Sequence, residues 1–158
     1  MEKNVCPWCE GHPLLYEYHN REWGIPVHDD KKHFEFLSME VMQCGLSWLL
    51  ALKKRKAFNE AFFDFDYLRV AAFNEDDIQT ALKTRNMLRS ERKIRAVVNN
   101  ARVFIKIREE YGSFDNWIWS FTNKMCIRDM GSDAPGEYYR NGFFPVPGRC
   151  RLCEKQRK

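Results

Sequence analysis

Glu40 is a carboxylate set in the most apolar stretch of the chain, and its placement needs an explanation. Residues 34–54 read FEFLSMEVMQCGLSWLLALKK. Met39, Met42, Leu46 and Leu49 recur at spacings of three and four, which predicts one buried helical face, with Glu40, Gln43 and Ser47 beside it. A carboxylate buried there without partners would be strongly disfavoured or would take up a proton. Glu40 is therefore either on the wet flank of an amphipathic helix or on the polar floor of a pocket, and periodicity alone leaves both readings open. Trp48, eight residues on, offers an aromatic face that would stack on a flat ligand in such a pocket.

The other chemistry lies in sulfur and imidazole. Four of the six cysteines form two CxxC pairs at opposite ends of the chain, Cys6 with Cys9 and Cys150 with Cys153; Cys44 and Cys126 stand alone as packing thiols. With no secretory leader in view, the pairs read as reduced thiols or metal ligands rather than a disulfide framework. An all-thiolate zinc site would make the chain a zinc-centred interaction protein, while the bland alternative is four unligated thiols. All four histidines, His12, His19, His28 and His33, precede residue 34. His12, His28 and His33 have no evident partner and read as surface residues.

The elements that position these groups are helical. Residues 1–28 are rich in Pro, Gly and aromatics, and they predict an ordered but irregular segment with one turn over 14–19. Trp8, Tyr16, Tyr18 and Trp23 interleave there with His12, His19 and Glu22. Asp29 or Asp30 caps a helix reaching Gln43; Gly45 and Ser47 mark its end and the cap of the next helix, which runs to Phe62. Asp66 starts a short helix to Ala72, and Asn74 caps another from Glu75 to Lys83. From Ser90, the spacing of Ile94, Val97, Val98, Ala101, Ile105 and Arg108 predicts a long helix ended by Gly112. Ser113 caps a last short helix bearing Trp117 and Phe121. No stretch shows sustained strand alternation, so the fold class is all-α.

Composition bounds the partners. The 158 residues suit one domain, with 30% charged residues and a net charge of +4, which is compatible with nucleic acid but too mild to establish it. There is no apolar run of about 18 residues, so no membrane span is indicated, and a cytoplasmic monomer is the default expectation. The residue 84–90 segment joins two helices by a short polar connection, which spacing alone reads as an ordinary helical turn and which is also compatible with a helix-hairpin-helix. Arg89, Arg92 and Lys93 would supply charge to a DNA phosphate there, and Asn86 tolerates the left-handed backbone that a missing hairpin glycine would have taken.

The strings YHNREWGIP and GLSW, together with CPWCEGHPLL and MLRSERKIRAVVNNAR, resemble the DNA-3-methyladenine glycosylase I family over residues 5–121. The resemblance implies a single helix-hairpin-helix glycosylase domain that acts in base-excision repair, hydrolysing the N-glycosidic bond of 3-methyladenine in double-stranded alkylated DNA. It also implies a structural zinc. Carried over by position, Glu40 is the base-reading carboxylate and the catalytic residue, Trp48 is the stacking ring, and Tyr18 and Trp23 line the base pocket. Cys6 and His19 match the N-terminal zinc ligands. Leu15 stands where some members have tyrosine, and Glu91 puts an acid where relatives carry basic residues. After residues 121–125 the resemblance stops, and no His-x3-Cys pair follows to complete zinc. The expected organisation is thus a helical domain over 1–125 and a divergent tail over 126–158, as a truncation or frameshift would leave. A non-catalytic DNA-binding remnant of the same fold is the alternative.

Overall fold

The computed structural model describes residues 6–122, in two units whose described parts are residues 6–26 and residues 27–122. The tail expected over 126–158, with Cys126, Cys150 and Cys153, lies outside the described residues. Among the described residues there are eight helices and no strand.

In the first unit, α1 (Pro7–Glu10) and α2 (Pro13–Arg21) both place proline in their first turn, where its missing N–H costs nothing. His12 caps α2 by accepting the Leu14 amide at 3.1 Å. This segment is more helical than its composition suggests, because the Pro and Gly that read as loop residues sit at helix boundaries. His12 is correspondingly a cap rather than a bystander.

In the second unit the caps fall where the sequence places them. Asp29 accepts the Lys32 amide at 2.7 Å and starts α3 (Asp30–Gln43). Ser47 accepts the Leu50 amide at 3.2 Å and starts α4 (Trp48–Ala61). Asp66 accepts the Leu68 and Arg69 amides ahead of α5 (Tyr67–Ala71). Asn74 and Asp77 form a reciprocal capping box on α6 (Glu75–Lys83). The long helix α7 (Glu91–Tyr111) ends at Gly112 with φ 81°, and α8 (Phe114–Ser120) begins with Ser113 accepting the Asn116 amide at 2.9 Å.

Helix α7 is the element on which the others dock: α3, α5, α6 and α8 all pack against it. Its buried face is Ile94, Val97, Val98, Ala101 and Phe104. Phe104, not Ile105, completes the stripe. It stacks on Phe114 at 4.2 Å and meets Phe34 and Tyr67 at 5.5 and 4.9 Å, and a planar ring fills that junction where a β-branched side chain would not. On α3 the buried residues are Phe34, Ser38, Met39 and Met42. Leu46 is exposed, because the count of three and four runs through the break at Gly45 and Leu46 no longer belongs to the helix.

One feature has no sequence signal. Phe63, Asp64 and Phe65 all take positive φ, between 51° and 57°, with no glycine among them. Side chains in that conformation cost roughly 1–2 kcal/mol each. The turn is held by full burial of Phe62 and Phe65 and by the Arg69 guanidinium lying 3.7 Å over the Phe63 ring.

The starts of α3 and α8 are tied through one carboxylate. Asp30 accepts the backbone amides of Phe114 and Asp115 at 3.2 and 2.9 Å, and Arg108 pairs with it at 3.0 Å. His28 and His33 both reach Asp115, at 3.2 and 3.0 Å, so neither is an idle surface residue. Asp30→Ala should lower stability by about 2–3 kcal/mol, since charge-assisted hydrogen bonds from a largely buried carboxylate are lost. Urea unfolding reads this as a lower midpoint at unchanged slope; an unmoved midpoint would refute the tie.

Candidate base-binding corner and hinge

Glu40 begins the last turn of α3. Burial of Met39 and Met42 against the core turns Glu40 outward, and its carboxylate opens to solvent. The atoms crowding it nevertheless desolvate it enough to raise its pKa above the ordinary carboxylate range. Among the described residues no cation is paired with it. Glu40 thus lies on the solvent flank of the helix, at a partly dry position.

Residues 44–47 separate Glu40 from Trp48. The Cys44 amide donates to the Glu40 carbonyl at 3.1 Å, and the Leu46 amide donates to the Gln43 carbonyl at 2.6 Å. The Gln43 side-chain amide donates back to the Leu46 carbonyl, so Gln43 closes the turn from both sides. Gly45 takes φ 78° with open space where a Cβ would sit, so glycine is required by the backbone conformation and not by crowding. Trp48 is the first residue of α4, half-buried, immediately after the Ser47 cap. A carboxylate and an indole ring on the two sides of one tight turn can serve a flat, positively charged or amino-bearing ligand.

The hinge over 84–90 is compact. The Met87 amide donates to the Thr84 carbonyl at 3.1 Å, Met87 itself is buried, and Asn86 takes φ 65° as its residue type allows. Arg85, Arg89 and Arg92 are exposed around it. Ser90, at the start of α7, makes no side-chain cap, and its carbonyl accepts the Lys93 amide at 3.0 Å, so only the Glu91 and Arg92 amides are left for an anion. Glu91 and Glu75 share one cation, Arg95, at 2.6 and 2.5 Å. Lys93 points elsewhere: its ammonium donates to the carbonyls of Met42 and Cys44, 2.7 Å from each. Sequence reasoning missed this interaction, for which two residues some fifty positions apart give no local sign.

In the first unit, Trp8 is the centre of an aromatic group, with Tyr18 at 6.5 Å, Trp23 at 5.4 Å and His19 at 5.3 Å; His19 also stacks on Trp23 at 5.2 Å. Cys6 and Cys9 are buried, and the Cys9 thiol donates to the Cys6 carbonyl at 3.0 Å. Among the described residues no group of three or more His, Cys, Asp or Glu is placed to hold a metal ion. A shallow cleft on α6 and α7, lined by Phe73, Glu75, Ile78, Arg95, Val98 and Arg102, includes none of the predicted site residues.

A family model for methyladenine glycosylase matches residues 8–136. The chain is similar to DNA-3-methyladenine glycosylase 1 of Escherichia coli, 38% identical over 118 residues covering 75% of this chain, and spans 63% of that relative's length. It is 36% identical to DNA-3-methyladenine glycosylase of Haemophilus influenzae, over 79% of this chain and 68% of the relative. A solved structure of 3-methyladenine DNA glycosylase I from Staphylococcus aureus superposes with a TM-score of 0.74 at 37% identity, covering 78% of this chain and 65% of that one. A variant of 3-methyladenine DNA glycosylase I in complex with 3-methyladenine superposes with a TM-score of 0.72 at 38% identity, covering 76% and 64%.

The raised pKa of Glu40 has a consequence for stability. The native state holds that proton more tightly than the unfolded chain, so the contribution is complete below the ordinary carboxylate pKa and is lost as pH rises through the native value. Glu40→Gln removes that loss. Urea midpoints of variant and parent should diverge in the variant's favour from acid to neutral pH, whereas a difference that is flat with pH would argue against a desolvated carboxylate.

Proposed function

The chain belongs to the methyladenine glycosylase family, and on that footing we propose that it excises 3-methyladenine from alkylated double-stranded DNA, as a cytoplasmic monomer acting in base-excision repair. The observation that carries the reading is the partly desolvated Glu40 carboxylate, separated from the Trp48 ring by one closed turn.

Methylation at N3 makes adenine a cation and a good leaving group, so the site must extract the base, stack it and meet its charge; a strong acid is not needed. Bringing the nucleotide out of the duplex costs a few kcal/mol in stacking and pairing. Trp48 offers stacking to the flipped base, with a cation–π component while the base is charged. Glu40 accepts a hydrogen bond from the exocyclic amine, and the cation draws its raised pKa back down, keeping the carboxylate ionised. The bond from the sugar C1′ to N9 then breaks with both electrons going to the base, which leaves as neutral 3-methyladenine. Water adds its oxygen to C1′ and releases a proton to solvent.

Tyr18 and Trp23, which group with Trp8 in the first unit, are proposed as base-binding aromatics on the family resemblance alone. Residues 84–90 with the start of α7 are proposed as a helix-hairpin-helix holding DNA phosphate through Arg89, Arg92 and the open amides of α7. Zinc is proposed only as a structural ion at Cys6 and His19. No step of the proposed reaction is routed through it.

On methylated duplex, the chain should release 3-methyladenine, and Trp48→Ala should slow release by the loss of ~1–3 kcal/mol of stacking. Glu40→Gln should slow release without weakening binding to undamaged duplex. No release by the unaltered chain would leave only a DNA-binding fold. Separately, Arg89→Ala with Arg92→Ala should flatten the dependence of log K on log salt by roughly 0.9 for each phosphate no longer neutralised, equally on unrelated sequences. A changed sequence preference would contradict a phosphate-binding role.

A further inference from the structure

Lys93 is the third residue of α7, yet its ammonium engages α3, donating to the carbonyls of Met42 and Cys44 at 2.7 Å each. The Met42 carbonyl is one that the end of α3 leaves without an intrahelical partner, and Cys44 is the residue that closes the helix. A cation there also meets the negative end of the α3 dipole. Between those two carbonyls lies Gln43, whose own carbonyl and side chain close the turn on Leu46. The Cys44 amide is bonded to the Glu40 carbonyl, so the ammonium clamps the turn that begins at Glu40 and leads into Trp48.

We infer that Lys93 is a positioning residue, one that holds residues 44–47 closed so that Glu40 and Trp48 keep their relative places. It also ties that corner to the first turn of α7, next to Arg92 and the hinge. The inference deepens the glycosylase reading and rests on it for the role of Glu40 and Trp48, but the clamp itself stands on hydrogen bonds within the protein. Two of the three ammonium protons are directed at carbonyls, which argues against the phosphate-binding role that the charge of Lys93 suggests in the sequence.

The test compares Lys93→Met, which keeps the stem and removes the charge, with Lys93→Arg, whose fork can still bridge two carbonyls. Hydrogen exchange at the Cys44 and Leu46 amides should quicken ~10-fold or more in the Met variant, in line with loss of charge-assisted hydrogen bonds, and return toward the parent rate in the Arg variant. Single-turnover release of 3-methyladenine should fall ~10-fold with Met and recover with Arg, while affinity for undamaged duplex and its salt slope stay as in the parent. Unchanged exchange at those amides would overturn the clamp, and so would a salt slope lowered by about 0.9, the mark of one phosphate no longer neutralised. If the unaltered chain releases no base, the glycosylase reading fails and the exchange rates still decide the role of Lys93. Should Lys93→Met not fold, Lys93→Gln, which keeps an amide NH2 with two donor hydrogens but carries no charge, gives the comparison with Lys93→Arg.

Discussion

The stack of Phe104 on Phe114 at 4.2 Å, with Phe34 and Tyr67 around it, is the interaction on which the second unit depends. It joins α7 to α3, α5 and α8 through one set of rings. Once Phe34 is fixed against Phe104, the rotation of α3 about its own axis is fixed too. Met39 and Met42 must then face the core, and Glu40 must face out. The carboxylate owes its half-dry position to that rotation.

Around this apolar junction, α7 distributes cations to the ends of its neighbours. Lys93 meets the closing carbonyls of α3, and Arg102 meets the carbonyls of Ala71 and Phe73 at 3.0 and 3.1 Å, where α5 ends. Arg108 pairs with Asp30, which in turn holds the first amides of α8. Helix ends need such partners, because each leaves backbone groups that no intrahelical bond satisfies. One long helix thus fixes the others twice, by its rings and by its charges, and the corner bearing Glu40 and Trp48 is held at both levels.

What the sequence made legible was local. Asp29, Ser47, Asp66, Asn74 and Ser113 announce helix starts because a short polar side chain reaches its own backbone, and Gly112 announces an end because a positive φ favours glycine. What it concealed was tertiary. The apolar spacing through Gly45 continued a stripe that the helix had already left. The left-handed run at residues 63–65 is imposed by burial of neighbouring rings, and no residue type there advertises it. The charge of Lys93 in the hinge is visible in the sequence, whereas its two carbonyl partners on another helix are not. The base-reading roles proposed for Glu40 and Trp48 come from the family-like strings around them, since periodicity alone leaves Glu40 undecided.

We propose that the partly desolvated Glu40 carboxylate recognises a base because the base is a cation. The direct measurement is the affinity of the chain for 3,9-dimethyladeninium, a permanent cation with a methyl group in place of the sugar, set against neutral 9-methyladenine, from acid to neutral pH. The cation should bind more tightly, its advantage should grow as pH rises through the titration of Glu40, and Glu40→Gln should abolish that growth. Equal affinity for the two bases at every pH, or an advantage that survives Glu40→Gln unchanged, would contradict the account.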